Sequence, residues 1–188
     1  MDDARRAKVW HLVPHDATAI DALSRSLRVA PIVAQLLLNR QQCEATQAER
    51  FLACPLSSLY EPELLPGVNA AVDRILSAIA DGKKICVYGD YDVDGVTATA
   101  ILLTCLQLLK AKVDFHVPHR LDDGYGLNKD TLQRLATEQG VNLVVTVDCG
   151  IASLEEAEAA HQLGLELIIT DHHEPKTTLP RASAMVHP

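Results

Sequence analysis

Carboxylates and imidazoles recur in this 188-residue sequence at three places where a short β-rich run has just ended. Asp90, Asp92 and Asp94 follow a run that ends at Tyr88; Asp148 follows one that ends at Val147; Asp171, His172 and His173 follow one that ends at Thr170. Taken singly, each signal is weak. An Asp after a strand most often serves as a turn residue or helix cap, Asp-x-Asp is common on exposed loops, and His-His is usually a surface pair. Their coincidence at three strand ends carries the information. In a parallel sheet those ends share one edge, the edge at which open α/β folds bind ligands. Five carboxylates and two imidazoles from three stretches of sequence therefore reach one crevice.

Like charges gathered so closely repel, and their desolvation is costly. Divalent cations are the simplest remedy. Oxygen ligands with one or two imidazoles suit Mn²⁺ or Mg²⁺ better than the thiolate-rich sites of structural zinc. Two cations roughly 3.5–4 Å apart that share a bridging carboxylate form the arrangement for in-line attack on phosphorus.

The elements that must position these groups follow from the apolar periodicity. The first 80 or so residues read as helical. Helices are expected over Ala17–Leu27, from Pro31 to Asn39, along the stripe Ala45, Ala48, Phe51 and Leu52 up to Cys54-Pro55, and over Val68–Ala80. Proline at a first helical position costs no hydrogen bond, and Pro62 and Pro66 mark a linker. At Gly82 the pattern changes. Strands are expected at 85–88, 113–117, 143–147 and 167–170, and helices at 128–138 and 153–163. A long apolar stretch over 96–109 reads as a buried helix, and Ser153 with Glu156 fits a capping box. Strands alternating with helices imply right-handed βαβ units. The expected class is α/β, a parallel doubly wound sheet over residues 81–188 preceded by a helical region over 1–80.

Composition narrows the function. A formal net charge of −8 argues against a basic module that coats nucleic acid, but not against a metalloenzyme, whose acids are offset by cations. The five cysteines are odd in number and none forms Cys-x-x-Cys, so neither a disulfide framework nor a zinc knuckle is indicated; reduced thiols of a cytoplasmic protein are. Met1-Asp2-Asp3 is too polar to open a signal peptide, and the 96–109 stretch is too short to span a bilayer.

The motifs as they stand resemble the DHH phosphoesterase superfamily and, within it, the RecJ-type single-strand DNA exonucleases. Val87-Tyr88-Gly89-Asp90-Tyr91-Asp92-Val93-Asp94-Gly95 resembles the first motif, Val147-Asp148-Cys149-Gly150-Ile151 the second, and Thr170-Asp171-His172-His173-Glu174 the signature triplet. The stretch from Pro118 through Arg120 and Gly124-Tyr125-Gly126 to Leu127 resembles a RecJ-type loop, and Ala34-Gln35-Leu36-Leu37-Leu38-Asn39-Arg40 resembles the leader region. Relatives acting on small substrates carry a metal-binding His where this chain has Tyr88; the added carboxylate Asp90 is similar to the RecJ type.

The resemblance implies that Asp92 binds one cation and Asp94 the other, with Asp148 bridging, His172 ligating the second and Asp90 a further ligand. It implies that His173 contacts the scissile phosphate, and that Asp171 orients the imidazoles from behind. Arg120 is a candidate phosphate clamp, with an ordinary loop arginine as the other reading. Tyr125, in a loop that Gly124 and Gly126 keep tight, is expected either to stack on a base or simply to pack. The implied activity is 5′-to-3′ hydrolysis of single-stranded DNA in recombination and repair, with two cations, and with single-strand-binding protein and a helicase as partners. Alternatives are a phosphodiesterase of short oligonucleotides or cyclic dinucleotides, and a silent DNA- or replisome-binding scaffold. RecJ-type enzymes continue into a fourth-motif Asp, a DHH-associated domain and an OB-fold, so the chain is expected to be an N-terminal fragment. Oligomeric state stays open.

Overall fold

The computed structural model describes residues 11–119 and 124–188, in two compact units that divide between Tyr60 and Glu61. Among its described residues the first holds the α-helices α1 (Ala17–Leu27), α2 (Pro31–Asn39) and α3 (Ala45–Ala53). Asp16 starts α1 by accepting from the Thr18 and Ala19 N–H groups. Cys54, in a left-handed conformation at φ 40°, stops α3. Ile20, Leu23, Ala34, Leu37 and Ala48 form the core of this unit.

The second unit begins with α4 (Val68–Ala80) and continues β1 (Lys84–Tyr88), α5 (Val93–Leu108), β2 (Lys112–His116), α6 (Lys129–Thr137), β3 (Leu143–Val147), α7 (Leu154–Gln162), β4 (Glu166–Thr170) and β5 (Ala184–Val186). All strand pairs are parallel, in the order β2-β1-β3-β4-β5. The strands alternate side chains between two helix layers. Ile85, Val87, Leu143, Val145 and Ile168 face α4 and α5, whereas Cys86, Tyr88, Val144, Leu167 and Ile169 face α6 and α7.

This order reverses direction between β1 and β3, the switch point where such sheets open a crevice. Tyr88 pairs with Thr146 and Val147 with Thr170, so β1, β3 and β4 finish nearly level. The residues just past each strand are then one strand spacing apart, about 4.8 Å.

Some expectations need correction. Helix α5 is only half covered: Val93 and Ile101 are each 72% exposed and Leu108 79%, whereas Gly95, Thr99 and Leu106 are buried and Ala98 and Leu102 pack partly against the sheet. A sequence apolar on every side does not say which stripe faces the sheet. Its threonines do not betray the exposure either, because Thr97 and Thr104 return their hydroxyl hydrogens to the helix's own carbonyls at Val93 and Ala100. Ser153 stands at the N-cap of α7 but makes no side-chain capping bond, so the capping box is absent. Strand β5 was not foreseen; three residues carry no readable alternation. Helix α4, read with the N-terminal helices, packs with the sheet, where Ala71 and Ala78 join the core of Ile85 and Val87.

At the sheet edge opposite the acids, Glu166 on β4 accepts from Arg74 of α4 and from Lys83 Nζ at 2.7 Å. Burial alone pushes its pKa up, but the bonds from Lys83 and Arg74 outweigh this and hold the carboxyl below its ordinary 4.5. Glu166→Gln is therefore expected to destabilise this unit by about 1 kcal/mol at pH 7, the partial exposure of the cluster keeping the value small. A folded-state pKa that is depressed gives stability above the unfolded pKa and loses it as pH falls through the folded value. The difference between wild type and variant in urea midpoint should accordingly be full at neutral pH and vanish in acid below pH 4.5.

Candidate metal centre

Each acid reaches the crevice by a different local device. Asp92 is the N-cap of α5: its Oδ1 accepts from the Asp94 and Gly95 N–H groups at 2.9 and 3.0 Å, leaving Oδ2 for other work. The Gly95 bond first, and the Asp94 bond with it, holds this carboxylate below its ordinary range. Asp90, two residues earlier, is 2% exposed, and its Oδ1 has no hydrogen-bond partner among the described residues. A buried carboxylate oxygen left unpaired is costly and calls for a ligand.

Asp148 adopts φ 65°, a left-handed conformation rare outside glycine, while its N–H bonds the Thr170 carbonyl at 3.0 Å. Backbone held in this region by its surroundings is a feature of functional turns. The side chain meets His172 Nε2 at 2.9 Å through Oδ1, and Oδ2 is buried without a partner among the described residues. Burial, then the Asp92 charge, raises its pKa above the ordinary carboxylate value.

Asp171 is occupied otherwise. Its Oδ2 accepts from the Ile151 N–H at 2.9 Å, and its Oδ1 accepts from the His172 and His173 N–H groups and from His173 Nδ1 at 2.7 Å. Burial opposes the charge, yet these bonds keep the carboxyl below its ordinary value. In turn Asp171 raises the pKa of His173.

Two groups of side chains thus have ligand atoms all within 4.8 Å of one another: Asp90, Asp92 and Asp148, and Asp148, His172 and His173. Asp148 belongs to both. Asp148 and His172 border a crevice of about 320 Å³ that is lined also by Asp94, Ala98, Val147, Thr170 and Asp171. Asp94 stands at its rim on the first turn of α5 and is exposed, outside both close groups. Hard carboxylate oxygens with one or two imidazoles, two of the oxygens buried and unpaired, fit divalent Mn²⁺ or Mg²⁺.

Of the remaining expected residues, Tyr125 is brought to the site, its hydroxyl 3.0 Å from His173 Nδ1 and its ring edge-on to Tyr91 and His173. Arg120 lies outside the described residues. Two contributors were not foreseen. Tyr91 braces Tyr125, and His187, just past β5, meets the His173 carbonyl at 2.7 Å through Nε2. A short apolar pair, Met185-Val186, followed by a histidine was the available signal for the second. Tyr88 is buried and turned to the α6–α7 side, its ring tilted against His116 with centroids 4.9 Å apart.

Fold and site together define a doubly wound α/β domain with a carboxylate–imidazole cluster for divalent cations at its switch point. Within that class the chain belongs to the DHH family, whose N-terminal domain matches residues 84–188. It is 44% identical over 179 residues to the single-stranded-DNA-specific exonuclease RecJ of Bacillus subtilis, a match covering 95% of this chain and 23% of that protein. A crystal structure of exonuclease RecJ bound to manganese superposes with a TM-score of 0.61 at 41% identity, over 71% of this chain and 33% of that one. RecJ of Thermus thermophilus in complex with Mn²⁺ gives 0.66 at 31% identity, over 94% and 24%. The chain spans about a quarter of the length of the curated relatives it matches. No helix among the described residues is long and apolar enough to cross a membrane.

Proposed function

We propose that this chain carries the metal centre of an exonuclease that removes nucleotides from the 5′ end of single-stranded DNA. The observation that carries the reading is Asp148, whose carboxylate is shared by both ligand groups with one oxygen on His172 and the other buried and unpaired. A single carboxylate facing two clusters is what a pair of cations needs. The identity to relatives named single-stranded-DNA-specific exonucleases supports the substrate.

On this reading Asp90, Asp92 and Asp148 hold one cation, and Asp148, His172 and Asp94 the other. Cations held there would supply charge neutralisation at the phosphate oxygens and a more acidic water. The chain's own groups do the positioning. Asp171 accepts a hydrogen bond from His173 Nδ1–H, which fixes that imidazole's tautomer and leaves Nε2 to face the scissile phosphate. Arg120 supplies a further phosphate contact from its loop. The protein acts in the cytoplasm, in recombination and repair, beside single-strand-binding protein and a helicase.

The test uses the full-length gene product with a 5′-phosphorylated oligothymidylate labelled at its 3′ end. Mn²⁺ should support stepwise release of mononucleotides from the 5′ end, and chelation by EDTA should abolish it. Faster turnover of dinucleotides or cyclic dinucleotides than of the long strand would overturn the substrate assignment. Release that persists in EDTA would overturn the metal centre.

A further inference from the structure

We propose that the Tyr125 hydroxyl donates a hydrogen bond to a phosphate oxygen of the bound strand, making it a catalytic residue through its O–H rather than its ring. The inference rests on the nuclease reading above and assigns this residue a different task from base stacking.

The argument starts with one proton. His173 Nδ1 lies 2.7 Å from Asp171 Oδ1 and 3.0 Å from the Tyr125 hydroxyl. Asp171 already accepts from three backbone N–H groups through its two oxygens, the arrangement of a carboxylate that only accepts. The hydrogen between Asp171 and His173 therefore belongs to Nδ1. A nitrogen that carries a hydrogen there has no lone pair left in the ring plane, and it cannot accept from the tyrosine. Yet Nδ1 is the hydroxyl's one hydrogen-bonding neighbour among the described residues. The Tyr125 oxygen at most shares the Nδ1 hydrogen as an acceptor, and its own hydrogen is left pointing elsewhere, beside the imidazole expected to face the phosphate.

The phenol is also kept ready to donate. Burial first, then the charge of Asp171, pushes its pKa well above the ordinary value. In a site dominated by carboxylates, an uncharged donor can meet an anionic oxygen without needing a counter-ion of its own.

The loop is built to hold that position. Gly124 and Gly126 flank Tyr125 at φ 76° and 82°, both left-handed, which turns the chain sharply on either side of it. The Gly126 carbonyl accepts from the buried Tyr88 hydroxyl at 3.3 Å, so the turn is tied to the end of β1. The Tyr125 ring is engaged edge-on by Tyr91 at 6.5 Å and by His173 at 5.6 Å, which restricts its swing. Half of the residue, 51%, remains exposed on the open side.

Tyr125→Phe separates hydroxyl from ring. In the full-length protein with Mn²⁺ and 3′-labelled oligothymidylate, this variant should lose about tenfold or more in kcat/KM, the effect of one hydrogen bond to a charged group. Tyr125→Ala should lose little beyond that. Mn²⁺ affinity by calorimetry and the unfolding midpoint should match wild type in Tyr125→Phe, excluding a collapsed site. A second readout is direct. Methylphosphonate linkages near the 5′ end remove the charged acceptor oxygen, so they should slow wild type more than they slow Tyr125→Phe. A fully active Tyr125→Phe beside an impaired Tyr125→Ala assigns the work to the ring and overturns the proposal. Equal methylphosphonate penalties in both proteins overturn it as well. A wild type that leaves the strand intact defeats the nuclease reading and this role with it, whereas an active wild type with a silent Tyr125→Phe defeats this role alone.

Discussion

Asp148→Asn should reduce Mn²⁺-dependent release of nucleotides by a factor on the order of 10³ or more, about 4 kcal/mol of transition-state stabilisation. No other side chain among the described residues belongs to both groups of ligand atoms, so its loss weakens both cations together. Asparagine is the informative replacement. It tolerates the left-handed backbone at φ 65° and keeps an oxygen for His172, so the effect isolates the charge. The same substitution should make the metal-free protein more stable. Burial and the Asp92 charge raise the Asp148 pKa, so ionising it costs the folded state stability. That cost is present above the raised pKa and disappears as pH falls below the ordinary value of 3.8, where folded and unfolded forms are both protonated. The gain of the variant is thus expected at neutral pH and absent in strong acid. Scanning calorimetry with and without Mn²⁺ reads both effects, since a ligand that binds only the folded state raises its midpoint. A variant that keeps wild-type turnover and the Mn²⁺-induced rise in midpoint would show that Asp148 is not the shared ligand.

Gly95→Ala lies outside the ligands, yet it is expected to damage both the fold and the metal centre. A Cβ at this position would lie 2.5 Å from both the N and the O of Asp90 and 2.6 Å from its Cα. All three are backbone atoms of a buried residue, so no side chain can swing aside. The first turn of α5 must instead lift away from the end of β1, carrying Asp92 and Asp94 with it. Overpacking of this kind costs about 3 kcal/mol, and for a unit of this size lowers the unfolding midpoint by roughly 10 °C. Because Asp92 leaves the reach of Asp148, Mn²⁺ affinity should also fall by at least about tenfold. Unchanged thermal unfolding together with unchanged Mn²⁺ affinity would mean that α5 is not seated as described.

Much of this architecture was legible from residue order. Short, nearly continuous apolar runs located β1, β3 and β4 to within a residue, and helical periodicity located α1, α4, α6 and α7. Because the acids and imidazoles fall immediately after three of those strands, their meeting on one edge followed from the parallel sheet alone. Such inferences are local: a strand's end and the residue after it are neighbours in sequence.

Tertiary structure decided how the groups divide their work. Asp171 and Asp148 each follow a strand, but only the fold sets the Ile151, His172 and His173 N–H groups around Asp171 and leaves Asp148 Oδ2 bare. Periodicity could not reveal that α5 exposes Val93, Ile101 and Leu108, because a helix apolar on all sides has no face marked for the sheet. Nor could it place the Tyr125 hydroxyl beside His173, 48 positions apart. That contact depends on β1 lying between β2 and β3, and strand order is set by long-range packing, which leaves no periodic trace along the chain.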